Sequence, residues 1–135
     1  MNALQLLQKT RELLSNAKHW VTGTLREEGA YCLVGALQWS WEGECHTEAW
    51  IGPEEYEQAK DDLRFAIHTY FLERGDTPET LDVPKNMDIP AFNDMDGNTS
   101  EDHARILDVL DKAIGRAEAR VDVYVPPEVD ELLSK

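Results

Sequence analysis

No stretch of the sequence approaches the ~18 consecutive apolar residues that a membrane-spanning helix requires, so no span is expected. Cysteine is scarce: Cys32 and Cys45 are the only two in 135 residues. That is too few for the disulfide framework of a small secreted domain, and both are expected to be reduced thiols, Cys32 a small core residue. The N-terminus, MNALQLLQKTRELL, lacks a basic segment, an unbroken apolar stretch and a small-residue cleavage site. It reads as a helix and not as a signal peptide, which makes the cytoplasm the expected compartment. Positive charge is the third scarcity. Thirteen Lys and Arg face 27 Asp and Glu, for a net charge of −14. Residues 1–40 hold four basic and three acidic groups, so the excess lies beyond them. Phosphate binding runs on Lys and Arg, so direct nucleic-acid binding and attachment to anionic membranes are not expected.

What remains is enough for one core. A chain of this length forms a single domain, and 41% hydrophobic residues suit a globular one. Four segments read as helices. Residues 3–18 place Ala3, Leu6, Leu7, Leu14 and Ala17 on one face. The run YCLVGALQWSW, residues 31–41, is the most apolar stretch and reads as a buried helix in which Gly35 and Ala36 allow close packing. From Pro53 to Arg74, the residues Tyr56, Ala59, Leu63, Ala66, Ile67 and Tyr70 form a stripe, with Pro53 suited to the first helical position. From about Ser100 to Arg120, the stripe is Ile106, Leu107, Leu110, Ala113, Ile114 and Ala117. Residues 75–92, with Pro78, Pro84 and Pro90, read as an irregular crossover. The expected fold is therefore mainly α, a single-domain bundle of about four helices over residues 1–120. An acidic extension follows over 121–135, where VDVYV alternates like an edge strand.

Four constellations invite a chemical reading. FNDMDGNTSEDH, residues 92–103, alternates acids like a calcium loop. With Asp94 first, however, position 6 is Thr99, position 8 is Glu101, and position 12, where a bidentate Glu belongs, is Arg105. The better reading is a turn followed by a helix start, with Thr99 and Asp102 spaced like a capping box. Cys32 has the residue types of a thiol site around it in sequence, with His19, His46, His68 or His103 as base, but no local signature fixes them together. Cys45 and His46 are adjacent, which is not the spacing of a zinc site. No metal and no cofactor are expected. Trp20, Trp39, Trp41 and Trp50 cluster within one segment, and on a helix Trp39 and Trp41 point about 200° apart. Trp39, Trp41 and Trp50 are therefore the candidate interface residues.

Taken together, HWVTG, YCLVGALQ, FND, Thr99 and ILDVLDKAIGRA resemble a family of small actinobacterial and actinophage proteins with no established activity. The matching positions are Trp20, Gly23, Cys32, Gly35, Ala36, Leu37, Asn93, Asp94 and Thr99, with Phe92 where the family pattern has Trp. The similarity covers roughly residues 3–117. The resemblance implies a helical fold and a phage or actinobacterial setting, and it transfers no catalytic role. It also implies that the Asn93-Asp94 turn meets the Cys32 helix, either to satisfy its backbone or to line a small polar pocket of Cys32, Asn93 and Asp94. The expected function is non-enzymatic binding of a host or self protein, in one variant by mimicry of nucleic acid. The alternative is a small-ligand binder or cysteine-dependent enzyme at that pocket. The oligomeric state is not legible.

Overall fold

The computed structural model describes residues 1–22, 24–47, 50–75, 89–93 and 100–123. Four long helices carry the architecture: α1 (Ala3–Leu14), α2 (Leu33–Glu42), α3 (Glu54–Glu73) and α5 (Ser100–Val123). A one-turn helix, α4 (Ile89–Asn93), and a two-stranded hairpin, β1 (Arg26–Glu27) with β2 (Ala30–Tyr31), complete it. The protein is mainly α.

Each helix starts and stops for a local reason. Asn2 caps α1 with a full capping box: its side chain accepts from Gln5 N, while Gln5 Oε1 accepts from Asn2 N. α1 ends at Leu14, earlier than the expected residue 18, and a 3-10 turn over Ala17–His19 follows under a second Asn cap, Asn16. α2 begins after Cys32 and closes on Gly43, whose φ of 71° supplies the left-handed C-cap. Pro53 stands one position outside α3, as its N-cap, and Glu54, Glu55 and Glu57 line the positive end of that helix.

The six stripe residues expected on α3, Tyr56 to Tyr70, are all buried. They pack chiefly against α5, whose Ile106, Val109, Leu110, Ala113 and Ala117 are buried in turn. An ion-pair network ties the same two helices. Asp62, buried on α3, receives both guanidinium nitrogens of Arg120 at 2.8 and 2.9 Å and Arg116 at 3.3 Å. The two fixed positive charges balance a carboxylate that could not be buried alone, and in return they hold the Arg120 guanidinium more firmly charged.

Two expectations need correction. α5 runs through Val123, so residues 121–123 are helical and do not form the expected edge strand. A short alternation cannot outweigh extension of an existing helix, which needs no new nucleus. Residues 124–135 lie outside the described residues. The chain also enters α2 through the hairpin, which places Tyr31 in β2 and not in the helix. Its turn, Glu28-Gly29, has φ of 47° and 81°, the primed geometry that matches strand twist. Arg26 from β1 lies over Trp39 at 4.3 Å and fastens the hairpin to α2.

Candidate functional site

Two residues of the family-like pattern, Trp20 and Asn93, meet at one buried amide. α4 inserts Ile89, Phe92 and Asn93 into the core, all fully buried. Phe92 anchors this turn through edge-on contacts with Tyr70 and Phe71 on α3. Asn93 then reaches two other segments. Its Oδ1 accepts from Trp20 Nε1 at 2.7 Å and from Leu33 N at 3.1 Å, and its Nδ2 donates to Val21 O at 3.0 Å. Leu33 is the first residue of α2, whose early N–H groups have no intrahelical acceptor. Asn93 therefore meets the Cys32 helix at its N-terminus and satisfies its backbone.

Cys32 sits beside it as the N-cap of α2. Its Sγ accepts from Gly35 N at 3.3 Å, and the residue is 3% exposed. The second thiol acts on the same glycine, since Cys45 Sγ donates to Gly35 O at 3.4 Å. Burial pushes the Cys45 thiol above its ordinary pKa, and Arg26 only partly offsets this, so it stays a protonated donor. Both cysteines are free thiols. Asp94 and Thr99 lie outside the described residues. The histidines considered as bases are engaged elsewhere: His19 with Leu13 O, His46 with Glu42 and buried His103 with Leu14 O at 2.7 Å, while His68 is exposed. Trp20 lies 5.9 Å from the His103 ring, and Asp102 pairs with Arg105 at 2.9 Å close to the start of α5.

The tryptophans form a second locus. Trp39, Trp41 and Trp50 are each half-buried against the core. Trp39 is covered by Arg26 and Tyr31, and Trp50 packs between His46, at 4.1 Å, and Tyr56, at 4.8 Å. The loop that joins α2 to α3 is fastened from behind by Gln38. Its Oε1 accepts from His46 N at 2.6 Å, and its Nε2 donates to Thr47 O at 2.7 Å and to Tyr56 OH at 3.0 Å. Sequence reading missed Gln38, although a lone amide in the most apolar run of the chain is a signal of a buried polar node. Gly52 completes the packing, because a Cβ there would come within 2.6–2.9 Å of the Tyr56 and Trp50 rings. At the outer side of this loop Ile51 is 80% exposed. Glu42, Glu44 and His46 bring their ligand atoms within 4.8 Å of one another.

No helix among the described residues is long and apolar enough to cross a membrane. No curated protein and no solved structure matches the chain significantly. A family model does match, over residues 1–116, from the N-terminus through most of α5 and short of the acidic extension. The chain belongs to that family, a family of unknown function (DUF6197).

Proposed function

We propose that this protein acts by binding another protein, through the acidic loop between α2 and α3. The observation that carries this reading is Ile51, a large apolar side chain 80% exposed on a loop held by buried groups. A side chain presented from a fixed backbone loses little freedom on binding, which is the economy of a preorganised anchor. Exposed Glu42, Glu44 and Glu54 surround the loop in sequence, and the half-buried Trp41 and Trp50 adjoin it. The complementary partner is a protein with an apolar pocket in a basic rim. Charge of opposite sign would speed the encounter. In the phage or actinobacterial setting that the sequence resemblance implies, such a partner is a host factor. Carboxylates that stand in for phosphates on a nucleic-acid-binding surface are one form of that interaction.

Capture from host lysate with three bait proteins tests this: the native chain, Ile51→Asp, and Phe65→Asp on the distant exposed face of α3. A stoichiometric partner retained by the native chain and Phe65→Asp, lost by Ile51→Asp and weakened by salt, is the expected result. A partner held equally by Ile51→Asp would remove the loop from the interface.

The position of Cys32 at a helix N-terminus favours a second reading, a ligand or thiol site beside Asn93. Iodoacetamide separates the two, since a Cys32 that stays unmodified in the folded protein counts against thiol chemistry.

A further inference from the structure

The Glu42, Glu44 and His46 cluster belongs neither to the Asn93 bracket nor to the apolar tip of the loop. We propose that these three side chains bind one divalent transition-metal ion of the zinc class, with at least one coordination position left open. Their ligand atoms already lie within 4.8 Å of one another, with His46 Nε2 against Glu42 Oε1 at 2.5 Å. Metal–oxygen and metal–nitrogen distances near ~2.0–2.2 Å need donors roughly 3–4 Å apart, which small side-chain rotations supply. An imidazole with two carboxylates selects zinc, nickel or copper over calcium or magnesium, which take oxygen alone. Three protein ligands are the number that leaves room for water or a further donor.

Two observations independent of the cluster's own contacts support a cation there. The first is electrostatic. α2 ends at Glu42, its last turn holds no basic residue, and the C-terminal end of a helix is its negative pole. Placing two glutamates there runs against the local rule, and such conflicts concentrate at functional sites. Arg26, whose charge reaches Cys45 in the same loop, is laid over the Trp39 ring. The second is preorganisation from outside. Buried Gln38 fixes the backbone at His46 and Thr47, Cys45 fastens to Gly35 O, and Trp50 stacks on the His46 ring with planes inclined by 22°. Fixing a ligating ring from behind is what groups around a metal site ordinarily do.

Zinc titration by calorimetry tests the site on the full chain without any partner, so its outcome is independent of the protein-binding reading. One equivalent is expected to bind, with affinity about tenfold or more weaker in Glu44→Gln and in His46→Asn, both at exposed positions. Nickel or copper should quench Trp50 emission, and Trp50→Phe should remove that quench while keeping the ion. Absence of saturable binding at millimolar zinc would overturn the proposal. So would binding unchanged in the Glu44→Gln, His46→Asn double variant, or a quench that survives Trp50→Phe.

Discussion

Asn93 shows how much one short side chain can do when its position is forced. An amide offers two acceptor sites and two donor hydrogens, and here two segments, Trp20-Val21 and the start of α2 at Leu33, draw on it. Replacing it by Ala leaves the Trp20 N–H, the Leu33 N–H and the Val21 carbonyl without this partner in a dry interior. At about 1–3 kcal/mol for each orphaned group, a loss of about 3 kcal/mol or more is expected, measured as a fall of roughly 10 °C or more in the thermal midpoint. Asn93→Asp isolates one contact, because it keeps the acceptor but sets an oxygen against Val21 O; it too should destabilise. Tyr56 offers a test by pH. Burial pushes its phenol up to about 12, partly offset by the Gln38 amide. Its neutral form is thus favoured by folding, and that contribution is complete below pH 10 and lost between pH 10 and about 12. A phenolate absorbance titration should show one of the four tyrosines ionising late, with the unfolding transition.

Glycine separates the elements by what stands next to them. At Gly35, a Cβ would lie 1.9 Å from the carbonyl oxygen of Leu25, so α2 approaches the preceding loop as closely as backbone allows. Gly35→Ala should cost about 3 kcal/mol or abolish folding. At Gly115, within α5, a Cβ meets nothing within 4 Å, and Gly115→Ala should stabilise by about 0.5–1 kcal/mol through helix propensity. Chemical denaturation of the two variants measures both signs. The long helices were legible because periodicity is local: every stripe residue of α3, from Tyr56 to Tyr70, went inward. The hairpin was not legible, since two-residue strands contain no period to read. The polar nodes at Gln38 and Asn93 depend on partners up to 73 residues away, which no window along the chain contains. For Asn93, the family-like pairing of a Cys-Gly-Ala segment with an Asn-Asp turn was the one available hint. For Glu42, Glu44 and His46, the sequence offered only the adjacent Cys45-His46 pair, whose spacing is not that of a zinc site, and the folded arrangement adds the supporting shell that spacing could not show.

At the scale of the molecule, a net charge of −14 means self-repulsion in the compact state. Salt screens it over about 8–10 Å, so the thermal midpoint should rise from low to moderate ionic strength. The ion pairs of Arg11 with Asp111 and of Lys112 with Asp108 and Glu73 are exposed enough that their screening should not reverse this trend. A midpoint that falls with salt would instead mean that such pairs outweigh the repulsion. The bracket at Asn93 has a consequence in time as well as in energy. It joins residues 60 to 73 positions apart, so it closes only after α4 has found the start of α2 and the Trp20-Val21 segment. Helices that form from local contacts do so quickly, whereas this long-range closure is expected to form late, after the transition state. Chevron kinetics of Asn93→Ala should therefore show a faster unfolding limb over a nearly unchanged refolding limb. On that view the buried amide works as a latch: it governs how long the folded molecule lasts more than how fast it is made.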